Sequence, residues 1–549
     1  MTRNAVIFIL ASALALFLWT RLSEHYAPAK PVAVATATSA SSAQSPTLAA
    51  SPALAAASPA RPEADLRATA EKRVEVETSR YKVELSTVGA RFASLKLKGV
   101  RAVTSGPSGD LDLVPGANFP RHGVLELAGT DLSTMAWNLD TAVPLEEQGR
   151  KIVRFSVQVP RTNLSFIKTY IFDPERSEIG LEVTVHNTGA AVTLAPLSLV
   201  WGPDLGGDSG GIGQVPPAGV VQMDGKVERE KAGSDQATLD YSAPHWIALK
   251  NHYFVVGLFP EAGSGWTRAE IRKLGAQHLA TALQAENLSL GAGQSLTLKA
   301  HVWAGTQEYT ALKEVGDNFK AVVQFQYWSI LEWLNPLCVG LLYILKWFHG
   351  LTGNWGVAII LLTILVRGAL FYPSMKSMIS MRHMQNKQAA MKPRLETLKK
   401  TYKDNPQKLN EETMKLYKEF GVNPLGGCLP MLVQIPIFFA LYGTLAAAYE
   451  LRGADFFWKW NDLTAGDPTY LFPLAMGISM FVQQKMAPTA AAMSDEQQQM
   501  QKMMLWMMPI MFTGMALVMH WPVGLLLYWT ASNFMGVLQQ VVVNKMVDA

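Results

Sequence analysis

One arginine stands inside an apolar run of the kind that crosses a bilayer: Arg367, within residues 355–373. As a helix that run covers roughly 28 Å, close to the hydrocarbon thickness of a membrane. A guanidinium there costs about 2.5–3.5 kcal/mol on insertion scales unless water, a counter-charge or a polar cavity receives it. Two placements satisfy the charge. The long side chain can snorkel toward the 373 end, about 9 Å away by helical rise. Alternatively it lines a wet, positively charged recess in a helix bundle, with Thr363 one turn earlier on the same face. Gln434, Gln484, Thr530 and Asn533 stand in other apolar runs, where they either line that recess or hydrogen-bond between helices. The chemistry open to such a set is electrostatic: it receives a polar or acidic group where the surroundings are otherwise apolar. Covalent chemistry lacks its residues. The apolar runs hold no HExxH, no pair of aspartates and no serine–histidine couple, and the chain has no GxxxxGK[ST] phosphate loop.

The remaining titratable groups form no set that demands chemistry. Asp173, Glu175 and Glu178 share a turn, and Asp204 and Asp208 flank glycines as turn caps do. His245 and His252 lie beside Trp246 and Tyr253 in strand-like sequence, which suits packed or edge positions better than metal ligands. The two cysteines, Cys338 and Cys428, sit in or beside apolar stretches at opposite ends of the membrane part. That excludes a disulfide framework and gives no metal spacing. No catalytic residue, metal or cofactor is expected.

The elements that must position Arg367 follow from composition and periodicity. At 549 residues, 49% hydrophobic and 17% charged, the chain exceeds one domain and is too apolar to be wholly soluble. Residues 1–26 suit either a signal peptide or an uncleaved N-terminal transmembrane anchor, and the anchor is preferred because cleavage would leave only an Ala/Pro/Ser-rich tail over 27–73. That linker has a random-coil reach of roughly 35 Å. Period-two alternation, as in Leu181, Val183 and Val185 against Glu182 and Thr184, predicts an antiparallel β-sandwich over 74–320. Residues 321–350 read as an amphipathic helix in the outer interface, because a crossing there would put the basic loop after Pro373 outside. The span with Arg367 occupies 351–373. Residues 374–423 form a cytoplasmic helical hairpin, fixed inside by an excess of about six positive charges. Asn405 and Pro406 are placed to start its second helix and Gly421 to end it.

Residues 424–549 supply four more spans, with Pro430, Pro436 and Pro509 inside them and an aromatic belt, Phe456, Phe457, Trp458 and Trp460, in the outer loop. Methionines crowd the later spans, which fits either adaptable contact with varied apolar segments or ordinary packing. On the hairpin, Lys399, Lys400 and Lys403 offer a basic docking surface for nascent chain, ribosomal RNA or acidic lipid headgroups; a solvated linker hairpin is the plainer alternative.

Three stretches resemble a known family: LTILVRGALFYP at 362–373, KLYKEFGVNPLGGCLPMLVQIPIFFALYGTL at 415–445 and WPVGLLLYWTASNFMGVLQQ at 521–540. They are similar to the YidC family of membrane-protein insertases, in its Gram-negative form with a large periplasmic domain. The resemblance implies a multi-domain, multi-pass protein of the bacterial inner membrane. It would have a periplasmic all-β supersandwich and an α-helical transmembrane bundle, six spans in total, an N-terminal anchor plus a five-helix core. It implies a hydrophilic groove open to the cytosol and to lipid, with its arginine at Arg367 and its threonine at Thr363. It also implies an apolar slide for the entering segment, carried onto Phe438, Leu441, Tyr528 and Trp529, the last standing where relatives often have tyrosine. Implied partners are nascent inner-membrane proteins, membrane lipids, the Sec translocon with its accessory subunits, and the ribosome or signal recognition particle pathway; no DNA is implied. The activity would be insertase and chaperone, without catalysis. A secondary transporter of an anionic solute is the alternative use of Arg367, although paired repeats and broken spans around a midplane site are not visible.

Overall fold

The computed structural model describes residues 71–101, 109–115, 121–140, 144–174, 177–207, 217–233, 236–275, 278–326, 329–402, 405–420, 429–486 and 495–548. The anchor expected at 1–26, the linker up to residue 70, Glu175, Asp208, Lys403, Gly421 and Cys428 lie outside them.

Alternation in the sequence becomes alternation in burial. In the strand Glu178–Asn187, Ile179, Leu181, Val183 and Val185 are buried and the residues between them half-exposed. It pairs antiparallel with Leu164–Phe172 on one side and Ser295–Thr306 on the other. These strands lie within a ten-stranded sheet whose ends are Lys226–Lys231 and Asn138–Leu139. A five-stranded sheet containing Leu197–Trp201 and a four-stranded meander from Arg73–Glu77 to Asp110–Asp112 share its core, around Phe92, Phe155, Tyr170, Trp201 and Ile271.

One part of the large sheet is covered on both faces, so alternation gives way to continuous burial in Trp246–Lys250 and across most of Phe254–Pro260. Ile247, Leu249, Val256 and Leu258 point into the sandwich. Trp246, Ala248, Val255 and Phe259 join a second apolar cluster that runs through Phe319 and Phe325 into the helices. Phe319 stands on a 3-10 turn, Phe319–Val322, with its ring 5.0 Å from that of Trp246 and 4.9 Å from that of Phe259. Gly257 leaves it room, since a Cβ there would meet the Phe319 ring at 2.8 Å. Two cations of the sandwich hold the end of the turn: Lys250 donates to the Val322 carbonyl at 2.7 Å, and Arg229 donates to the Ala321 carbonyl.

The helices are α1 (Tyr309–Val315), α2 (Asn335–Thr352), α3 (Trp355–Ala369), α4 (Phe371–Thr401), α5 (Pro406–Glu419), α6 (Leu429–Ala447), α7 (Leu471–Met486), α8 (Asp495–Val518) and α9 (Val523–Asp548). The last is the hub, packed against α7 and α3 and also touching α4 and α6. By length and apolarity the segment Ile330–Thr352, not the arginine-bearing helix, is long enough to cross a bilayer among the described residues; α3 is a shorter apolar helix. The break that ends α3 early lies at Leu370. Pro373, in the first turn of α4, has no N–H for the Ala369 carbonyl, and its ring crowds that carbonyl. The span expected over 351–373 is therefore cut short at Ala369, and the hairpin helix begins at Phe371.

Both ends of the stretch containing α2 are tied to the sandwich. It is entered from the turn held by Lys250 and Arg229, and near its far end Lys346 pairs with Glu308 at 2.9 Å, just past the last strand, and with Glu450 at 2.8 Å, just past α6. Cys338, eight residues before Lys346, already sits beside the outer part of α6, its carbonyl accepting from Thr444 Oγ1 at 3.2 Å. Leu341, Leu342 and Leu345 face inward, while Trp333, Leu337, Trp347 and Leu351 are exposed. Gly353 (φ 67°) ends α2, and the Asn354 side chain then accepts from Val357 N to cap α3.

The helix ends beside the loop between α6 and α7 are cross-tied. In the loop between α6 and α7, Asp462 accepts from Gly453 N, Thr464 N and Thr464 Oγ1. Asp467 accepts from Trp460 Nε1 at 2.8 Å, from Thr469 N and Oγ1, and from Phe472 N at 2.7 Å. This loop also bonds the first residues of α9, through Val523 N to Ala465 O and Gly524 N to Leu463 O, each 2.8 Å. Asn354 Nδ2 reaches the Phe456 carbonyl at 2.7 Å. The expected aromatic belt is thus partly a plug: Phe456, Trp460 and Leu463 are buried, while Phe457 and Trp458 stay exposed.

The α4–α5 hairpin closes on Met391 and Leu416, with Leu395, Leu398, Tyr417 and Phe420 packed around them. Asn405 caps α5 by accepting from Lys408 N, with Pro406 at the first turn as expected. Arg394 pairs with Glu419 at 2.5 Å across the seam.

Candidate functional site

Arg367 lies in the last turn of α3, half-buried, and its guanidinium reaches α9. Nε donates to Ser532 Oγ at 2.9 Å and Nη2 donates to the same oxygen at 2.5 Å. Ser532 is 4% exposed. Tyr528, one turn earlier on α9 and also buried, faces both Ser532 and Arg367. Among the described residues no carboxylate lies within ion-pair distance of Arg367. The cation is therefore oriented by hydroxyl oxygen and not neutralised, and three of the five N–H donors of an arginine have no partner among the described residues.

Helical phase explains which expected polar residues meet this charge. On α9, Tyr528, Ser532 and Gln539 fall on one stripe. The first two face Arg367, and Gln539 Nε2 donates to the Phe371 carbonyl at the start of α4, at 3.2 Å. Asn533 belongs to the next stripe, with Gly536 and Gln540, and turns to α7: its Nδ2 donates to Ser479 Oγ at 3.1 Å. Thr530 is on another side, with its hydroxyl buried and without a hydrogen-bond partner among the described residues. Thr363 is 1% exposed and returns its hydroxyl to the Ile359 carbonyl of its own helix at 2.7 Å. Gln434 and Gln484 are half-buried on α6 and α7, and no hydrogen bond links either to Arg367 among the described residues. Among the described residues, then, Arg367 meets Ser532 and Tyr528, and none of the other five expected residues hydrogen-bonds to it. Ser532 is absent from the sequence-based set.

The expected slide divides in the same way. Phe438 is half-buried, its ring 5.3 Å from Trp529 and stacked 6.3 Å from Tyr442. Trp529 stacks on Trp521 at 5.6 Å and meets Phe512 at 5.3 Å, so α6, α8 and α9 share an aromatic column. Leu441, 1% exposed, and Tyr528, 4%, belong to the core. Ile435 and Tyr442, two turns apart on one face of α6, are its exposed large side chains among the described residues, with half-buried Phe438 between them; Leu441 lies about 120° around the helix from Ile435 and about 100° from Tyr442, toward the core. On the hairpin, Lys400 is exposed on α4 and Lys399 lies in the same helix. His252, expected at a packed or edge position, donates from Nε2 to the Ala446 carbonyl at 3.0 Å and so ties the sandwich to the end of α6.

Comparison with known proteins bears on the chain as a whole. The family described as 60Kd inner membrane protein matches residues 347–549, and the one described as YidC periplasmic domain matches residues 73–337. A membrane protein insertase YidC from Syntrophus aciditrophicus (strain SB) is 33% identical over 485 residues, covering 86% of this chain and 85% of the relative. Its counterpart from Geobacter sulfurreducens is 32% identical over 488 residues, 86% of each chain. A solved structure described as an active YidC insertase with the first transmembrane domain resolved covers 87% of this chain and 93% of its own, at 18% identity and a TM-score of 0.32.

Proposed function

The chain belongs to the YidC family of membrane protein insertases, and we propose that it passes the polar flank of a nascent membrane protein across the bilayer by way of Arg367. The family is one of inner-membrane proteins with a periplasmic domain, and nascent membrane proteins are its substrates. The observation that carries the proposal is a cation on a membrane helix held by one serine hydroxyl, with no carboxylate beside it among the described residues. An acidic or polar tail leaving the cytosol gains attraction from that charge, in surroundings where attraction is stronger than in water. The arginine helix is 15 residues, or about 22 Å, shorter than a bilayer core of about 30 Å. A thinned membrane around it shortens the crossing. Burial of the client's apolar segment in lipid then supplies the driving force.

On this reading α3, α6, α7, α8 and α9 span with the N-terminal anchor, six in all, and the hairpin stands in the cytosol. The segment α2 lies along the periplasmic interface although its length permits a crossing. The ties of Lys346 and of the preceding turn to the sandwich support that placement. The groove is closed outward by the Asp462 and Asp467 loop. Phe438, Tyr442 and Trp529 guide the entering apolar segment, while Lys399 and Lys400 engage nascent chain or ribosome; the Sec translocon is a second proposed partner.

The test is Arg367→Ala in reconstituted vesicles. Insertion of clients with charged translocated tails falls severalfold while the protein stays folded. Normal insertion by a stable Arg367→Ala protein refutes the proposal.

A further inference from the structure

We infer that Ser532 is the positioning residue that sets where the groove's cation stands. This rests on the reading of Arg367 given above. An arginine near the end of a short apolar helix has a default resting place: its side chain extends toward water and headgroups at the nearer surface. Here that surface lies beyond Ala369, about one turn away. The guanidinium turns across to α9 instead, and the group that keeps it there is the Ser532 hydroxyl, which accepts both Nε–H and an Nη2–H. Using one edge of the guanidinium fixes the plane of the rest, so its remaining donors point in a defined direction. Serine suits the task because its oxygen accepts without bringing charge. An aspartate at 532 would hold the guanidinium equally well and cancel the field that a client must feel.

The position is supported from behind. Tyr528 packs one turn away on the same stripe and faces the serine. Gln539, on the same stripe toward the other end of α9, holds the Phe371 carbonyl, so the α3–α4 break is fixed to the helix that carries Ser532. Arginine and acceptor are thereby held on two elements that cannot slide past each other without losing both contacts. Without Ser532 the guanidinium extends to the cytosolic surface, and the attraction offered to an acidic tail part-way across is lost. The protein would remain folded, because no buried carboxylate depends on the arginine among the described residues.

The experiment uses the full chain in vesicles and two single-span clients that differ only in the translocated tail, one acidic and one uncharged. Ser532→Ala lowers insertion of the acidic-tailed client by about five- to tenfold, the scale of one ordinary net hydrogen bond, and leaves the uncharged client within about twofold. Ser532→Thr, which keeps the acceptor, restores the wild-type ratio of the two clients. Ser532→Cys, close in volume and a weaker acceptor, falls between. Adding Ser532→Ala to Arg367→Ala produces no further loss. Equal losses for both clients, or failure of threonine to restore the ratio, overturn the positioning role. An impaired Arg367→Ala beside a fully active Ser532→Ala also overturns it while sparing the reading of the arginine; full activity in Arg367→Ala removes both.

Discussion

Replacing Lys250 with methionine removes a pH dependence that this lysine imposes on the joint between sandwich and helices. Lys250 is 3% exposed and, among the described residues, donates only to the Val322 carbonyl, at 2.7 Å. Burial, together with the like charges of Arg229 and Lys231, pulls its pKa from the ordinary 10.5 down to about 7. The Glu332 carboxylate acts on neighbouring Arg229. The unfolded lysine binds its proton more tightly than the folded one, so folding is penalised wherever the unfolded lysine is charged. The penalty is full below about pH 7, shrinks as pH rises, and vanishes near the ordinary lysine value. Its full size is on the order of 4–5 kcal/mol. Methionine abolishes it and leaves the Val322 carbonyl unpaired, at a pH-independent cost of about 1–3 kcal/mol. The measurement is unfolding of the purified full-length protein and of Lys250→Met, followed by tryptophan fluorescence between about pH 6 and about pH 10. Wild type gains on the variant by several kcal/mol across the upper part of that range and by nothing below about pH 7. Parallel profiles at every pH would show that the lysine is hydrated or paired, and the reasoning would fail.

Two further outcomes are expected. At Asp467 burial pushes the carboxyl up, but hydrogen bonds from Thr469, Phe472 and Trp460 outweigh it and hold the group below its ordinary 3.8. Its contribution is thus present above that value and lost as pH falls through the lowered one. Asp467→Ala costs about 1–3 kcal/mol, read as a lower apparent Tm at neutral pH, with the difference from wild type vanishing only in strong acid. Charge reversal at Lys399 and Lys400 weakens capture of nascent chains, read by crosslinking in translation extracts; unchanged crosslinking rejects the docking role.

What could be read without coordinates follows from which physics is local. Alternation announced Val153, Phe155 and Val157 as core, and Asn405 and Pro406 carried the start of α5 in their own chemistry. Arg367 was conspicuous because a charge in an apolar run is costly wherever it points. Its partner was not. Ser532 is 165 residues away, and a lone serine in an apolar helix carries no signal of what it faces. The usable hint was phase: one turn past Tyr528, it shares a stripe with Gln539. Phase likewise separates buried Leu441 from exposed Ile435 and Tyr442, and a list of apolar residues does not contain it. Pro373 was visible as an end of the span, but the carbonyl it leaves unbonded lies four residues earlier, and there the helix stops.

The knotting of one set of helix ends has a mechanical corollary. Val523 and Gly524 are pinned to the α6–α7 loop, and the start of α3 is pinned to Phe456, so these helices share a pivot. Levers joined at one end part most at the other. Any widening to admit a guest is then a fanning motion, greatest where α3 breaks and the hairpin begins, which on the topology proposed above places the widest mouth on the side from which new polypeptide arrives.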